Sequence, residues 1–224
     1  MSAVPAAAPA RDPYNVGRRV HGEEQGQEAT GHGAGGPASR SIVTGYGFWI
    51  FLLSDIVMFS AFFAAYAVLR DATAGGPTGG ELFDIRITKW ETASLLASSF
   101  ACGMAMLAAE ARHRLWFQLA MAVTFLFGTA FVTLEVREFM DLINRDAGPD
   151  RSAFLSAFFA LVGCHGLHVT TGLLWLLTMM AQQLAFGFRD SMLRRFHCFS
   201  LFWHALDIIW IGVFTVVYLM GVAP

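Results

Sequence analysis

Charge is scarce in this chain. Only 14% of its 224 residues are Asp, Glu, Lys or Arg, where a soluble domain carries about 25%. With 55% apolar residues, that shortfall excludes an ordinary soluble globule and indicates a polytopic membrane protein. Basic residues form no stripe and the net charge is −2, so nucleic acid is excluded as a partner. Cysteine is equally rare. Cys102, Cys164 and Cys198 each lie in an apolar run without CxxC spacing, which reads as buried small apolar side chains and not as a disulfide framework. Proline interrupts none of the long apolar runs. The first forty residues hold no apolar stretch of the kind a cleaved signal needs. Residues 1–41 therefore read as a disordered tail unable to bury enough surface to fold, ahead of a membrane domain over 42–224.

What the chain does have is five runs long enough to cross a bilayer, which takes about 20 mostly apolar residues at ~1.5 Å each. They are Tyr46–Leu69, Thr92–Ala109, Leu115–Val136, Ala153–Leu184 and Phe196–Gly221. The expected fold is an all-α membrane protein, a bundle of five transmembrane helices. The second run is softened by Ser94, Ser98, Ser99 and Gly103, small residues that also allow a neighbouring helix to approach closely. The segment AGGPTGG and the segment NRDAGPDR cannot continue a helix, and Ser152 is placed to cap the fourth one. With the N-terminus inside, nine arginines fall on the cytoplasmic side and six basic residues outside. The positive-inside rule thus predicts a cytoplasmic N-terminus and an external C-terminus.

Ionisable groups inside hydrocarbon are costly, about 2.5–3.5 kcal/mol each on insertion scales, so they mark where to look for function. Three runs each carry two such groups three residues apart, on one helix face: Glu135 and Glu138, His165 and His168, His204 and Asp207. The first run adds Asp55, with Ser54 and Tyr46 as candidate partners. By helical rise the two glutamates fall near the outer boundary and the histidines deeper. Four readings are open: a metal site on facing helices, haem held by His168 and His204, a proton path, and an interhelical hydrogen-bond network that fixes helix register. The network is the reading favoured. Trp90 and Trp116 fit an interfacial belt, while Trp49, Trp175, Trp203 and Trp210 lie deeper, in helix packing or along an acyl-chain groove.

Several segments resemble a known family. GFWIFLLSDIVMFSAFFAAYAVL at Gly47–Leu69, AGGPTGG at Ala74–Gly80 and TLEVREF at Thr133–Phe139 carry the likeness. So do GPDRSAFLSAFFALVGCHGLHVTTGLLW at Gly148–Trp175 and SLFWHALDIIWIGVFTVVYLMG at Ser200–Gly221. Over residues 42–222 the chain resembles subunit III of the haem-copper respiratory oxidases, and most closely the five-helix form of the cytochrome o ubiquinol oxidases. The resemblance implies a non-catalytic subunit of a proton-translocating complex that oxidises ubiquinol and reduces oxygen to water in a bacterial inner membrane. It implies that this chain holds no cofactor of its own, that haem and copper lie in subunit I, and that phospholipid is bound. Partners would be subunit I above all, then subunits II and IV. Glu135, Glu138, His165, His168, His204 and Asp207 would form the polar network, and no residue would be catalytic or bind metal. Asp55, Trp49 and Trp210 would face the lipid cleft or the place where protons enter; relatives that use cytochrome c usually carry Glu at the position of Asp55.

Overall fold

The computed structural model describes residues 40–222; the expected tail over 1–41 falls almost entirely outside the described residues. Helix α1 covers Arg40–Leu69, a short α2 covers Gly79–Leu82, and α3, α4 and α5 cover Ile85–Glu110, Arg114–Asn144 and Ala153–Phe186. Helix α6, Asp190–Val213, continues through a π-helical stretch, Phe214–Leu219, into the final turn α7, Met220–Val222. Among the described residues, five helices are long and apolar enough to cross a membrane. The fold is an all-α membrane bundle.

Helices α3 and α5 begin where polar side chains satisfy a free amide of the first turn. Asp84 Oδ1 accepts from the Arg86 amide at 2.9 Å to start α3, and Ser152 Oγ accepts from the Leu155 amide at 3.2 Å to start α5. They end at residues that leave helical space. Arg112, with φ 55°, turns α3 back into α4. Gly187, with φ 68°, closes α5, and its amide donates to the Gln183 carbonyl at 2.9 Å. The positive φ favours glycine there, and the space a Cβ would take is occupied by the Arg114 guanidinium. The AGGPTGG break holds the one-turn α2, whose start is fixed by the Thr78 amide donating to Glu81 Oε2 at 3.2 Å.

The helices run further than their apolar windows, α3 and α4 most of all. Helix α3 starts seven residues before Thr92, and α4 ends eight residues after Val136. The extra turns are helical because their inward positions stay filled: Thr88 and Glu91 on α3 and Leu142 on α4 are all buried. Glu135 therefore sits well inside α4 at 3% exposure and not at its rim.

Helices α3 and α4 form a tight antiparallel pair. Helix α6 packs on α3 and α5, α4 packs on α5, and α1 lies against α5 and α6. Trp203 on α6 is the wedge at the centre. A Cβ on Gly172 of α5 would come within 2.8 Å of its ring, and one on Gly128 of α4 within 3.1 Å. Those two glycines let three helices close around one indole. Helix α1 is the least buried of the five spans and turns Ile50, Phe51, Leu53 and Val57 outward.

Candidate functional site

The interior polar groups divide into two sets. The first is a seam between α3 and α6, antiparallel helices whose partners are matched in register. Trp210 Nε1 donates to Thr92 Oγ1 at 3.0 Å, and Trp203 Nε1 donates to Ser98 Oγ at 3.0 Å. Ser98 in turn donates to the Thr124 carbonyl of α4 at 3.2 Å. Ser99 Oγ and His204 Nδ1 are 2.6 Å apart, and Asp207 lies beside both Ser99 and His204. Ser98 and Ser99, two of the small residues that soften α3, are thus part of the surface on which α6 is keyed, while Ser94 donates to the Phe127 carbonyl of α4 at 3.0 Å. Thr92, Ser98 and Ser99 each meet a tryptophan or histidine from the opposite helix, so few polar atoms remain unmet. One Asp207 oxygen is an exception: Oδ1 is buried without a partner among the described residues.

The second set lies at the α2 end. Glu138 accepts a hydrogen bond from the Tyr218 hydroxyl at 2.8 Å. Glu135 and Glu91 stand within electrostatic reach of Glu138 and of each other. Glu91 is fully buried, and all four oxygens of Glu91 and Glu135 meet no donor among the described residues. Tyr218 reaches in from the π-helical stretch, where the wider turn buries two successive residues, Val217 and Tyr218. Such bulges recur at functional sites.

The paired residues proposed from the sequence are therefore not one continuous network. His204 and Asp207 belong to the α3–α6 seam, and Glu135 and Glu138 to the carboxyl set. His165 is fully buried, its ring stacked on Trp210 at 5.2 Å and edge-on to Phe131 at 5.7 Å. Neither of its nitrogens meets a hydrogen-bond partner among the described residues. His168 turns back on its own helix, its Nδ1 lying 2.7 Å from the Cys164 carbonyl oxygen, with its ring edge-on to Phe59 at 5.3 Å.

Asp55 is half-buried and faces Cys164. The partners expected for it do not serve: the Ser54 hydroxyl donates to the Phe51 carbonyl at 2.7 Å, and Tyr46 is 70% exposed. Trp210 is a correction to its expected place at a lipid cleft. Its ring is fully enclosed by His165, Phe131 and Tyr218, because its indole N–H is anchored inward on Thr92. Trp49 stays outside and borders a cavity of about 520 Å³ with Arg194 and His197, at the end of the bundle away from α2.

Sequence reasoning missed Glu91 and Tyr218. Glu91 carries a signal nonetheless: Thr88, Glu91, Leu95, Ser98, Ser99 and Cys102 recur at helical spacing on the buried face of α3. That stripe extends the helix back past Thr92. Among the described residues, no three His, Cys, Asp or Glu side chains are grouped so as to hold a metal ion.

With this geometry in hand, likeness to known proteins decides the family. A family model described as cytochrome c oxidase subunit III matches residues 22–222. The chain belongs to that family. A subunit III of this kind is part of a haem-copper oxidase, a multi-subunit oxidoreductase, and it is a multi-pass membrane protein. The chain is 52% identical over 178 residues to the cytochrome bo(3) ubiquinol oxidase subunit 3 of Pseudomonas aeruginosa, covering 80% of this chain and 85% of that one. It is 41% identical over 175 residues to the quinol oxidase subunit 3 of Bacillus subtilis, covering 78% and 86%. It is also 41% identical over 175 residues to the cytochrome c oxidase subunit 3 of Bacillus sp. strain PS3, covering 78% and 84%.

Proposed function

We propose that this subunit III serves a proton-translocating ubiquinol oxidase, and that its own part is to pack against and stabilise subunit I, retain lipid and support proton uptake. Higher identity to a relative named for ubiquinol than to one named for cytochrome c supports the choice of donor. In this reading haem and copper belong to subunit I, and subunits II and IV complete the complex. The complex lies in a bacterial inner membrane, with the N-terminus cytoplasmic and the C-terminus periplasmic, as the distribution of arginines favours.

One observation carries the passive role: the histidines are engaged or enclosed by this chain's own side chains. His204 is tied to Ser99, His168 to the Cys164 carbonyl, and His165 is boxed by Trp210, Phe131 and Phe59. An iron held between α5 and α6 would require Trp210 and Phe131, both fully buried, to vacate the core. The chain's contribution is then rigid helix register, set by the α3–α6 seam, and an apolar outer surface on α1 for lipid or a neighbouring subunit.

The test is purification of the intact complex with its subunits identified. Ubiquinol should drive oxygen reduction and reduced cytochrome c should not; the reverse preference would move the chain to a cytochrome c oxidase. Visible spectra and metal analysis of the isolated chain should give neither haem nor stoichiometric iron or copper. Stoichiometric haem would overturn the passive role.

A further inference from the structure

The carboxyl set at the α2 end has a composition that packing alone does not explain. Glu91 from α3 and Glu135 and Glu138 from α4 bring three acids together, and no Lys or Arg among the described residues forms an ion pair with any of them. The other groups that face the set are Tyr218 from the π-helical stretch and Asp84 at the start of α3. Glu91 and Glu135, at 0% and 3% exposure, leave four carboxyl oxygens without a donor. Three full negative charges do not coexist in a buried place without cations. No ion pair among the described residues balances them, and protons are the balancing species small enough for a site this closed.

There is a way in. Glu138 is only half-buried and forms part of the wall of a cavity of about 260 Å³ lined also by Asp84, Arg137, Asp141 and Arg145. That mouth is charged and suits water. On its other side, Glu135 rests over Gly166 of α5, where an added Cβ would stand 3.8 Å from Oε1. It borders a groove between α4 and α5 that is lined mostly by apolar side chains and glycines, Phe139, Phe159 and Leu167 among them. The set thus opens to a polar cavity through one member and backs onto an apolar wall through another.

We infer that Glu91, Glu135 and Glu138 form a proton-holding site, filled and emptied through the charged cavity at Glu138. A hydronium at the mouth gives its proton to the Glu138 carboxylate and leaves as water. Glu138 passes the proton to Glu135, which shares it with Glu91, and Glu138 regains its negative charge. Tyr218 is a positioning residue: its hydroxyl donates to Glu138 and holds that carboxyl between the mouth and the interior. The inference deepens the reading of this chain as part of a proton-moving oxidase, and rests on it for the use of the proton but not for its being held.

Infrared difference spectra of the intact complex at neutral pH, against Glu91→Gln, Glu135→Gln and Glu138→Gln variants, test this. The wild-type protein should show the C=O stretch of a protonated carboxyl that shifts in D₂O and disappears in Glu135→Gln or Glu91→Gln. In Glu138→Gln that band should persist but exchange with D₂O roughly a hundredfold more slowly, and in Tyr218→Phe less slowly. A carboxyl band unchanged in all three glutamine variants overturns the proton site. Equal exchange rates in Glu138→Gln and wild type overturn the path through the cavity. Should Glu135→Gln fail to assemble, Glu135→Asp keeps the acid, and its band must then move in frequency; an unmoved band also overturns the site. Oxygen reduction is read on the same preparations: no ubiquinol-driven reduction in wild type, with the band present, removes the ubiquinol-oxidase reading alone.

Discussion

The α3–α6 seam and the carboxyl set lie within a few helical turns of each other, yet they handle buried polarity in opposite ways. In the seam nearly every donor has an acceptor on the facing helix: Trp203 with Ser98, Trp210 with Thr92, His204 with Ser99. In the carboxyl set only Glu138 is met, and Glu91 and Glu135 are not. A nearly satisfied seam rigidifies the fold, whereas buried polar groups left unpaired are costly. The difference separates the part of the subunit that sets its shape from the part with chemistry in reserve.

The largest effect should come from removing the wedge that closes the seam. Trp203→Ala would empty the space between Gly128 and Gly172 and destabilise the subunit by about 3–5 kcal/mol, seen as loss of subunit III from the purified complex. Gly172→Val attacks the same point by overfilling it. It should destabilise by about 1–3 kcal/mol, measured as a lower unfolding midpoint in detergent. Ser98→Ala leaves the Trp203 indole N–H buried without an acceptor and should cost about 1–2 kcal/mol. Glu135→Gln should differ in kind, changing stability by less than about 1 kcal/mol or raising it, because it replaces an acid whose oxygens meet no donor with a neutral group of the same shape. If Ser98→Ala and Glu135→Gln lowered the unfolding midpoint equally, the contrast between the two regions would be lost. Trp49→Leu, on an exposed ring, should stay within about 0.5 kcal/mol of wild type.

The five helices were legible because each contains an uninterrupted apolar window, and the Ser152 cap because Ser precedes a helical run. The helix ends were not. Glu91 lies just outside the apolar window of α3, so nothing in that window singles it out, although its spacing from Leu95 and Ser98 matches a buried face. Glu135 and Glu138 were placed at the rim for the same reason: an apolar window measures where lipid contact ends, and α4 continues beyond it as a helix packed on protein. The pairing of residues three apart identified the right side chains but suggested one network. Which helix faces which is a tertiary property, and it divided them into two sets. The inward turn of Trp210 depends on Thr92, more than a hundred residues away in the chain, and no local pattern records it.

The π-helical stretch Phe214–Leu219 has one more consequence. A widened turn accommodates a surplus residue, so the position of the Tyr218 phenol depends on the number of residues before it as much as on their identities. Deleting a single residue there would let the segment relax to ordinary α geometry and swing the phenol away from Glu138 without altering any side chain. In this stretch, chain length itself acts as a functional parameter.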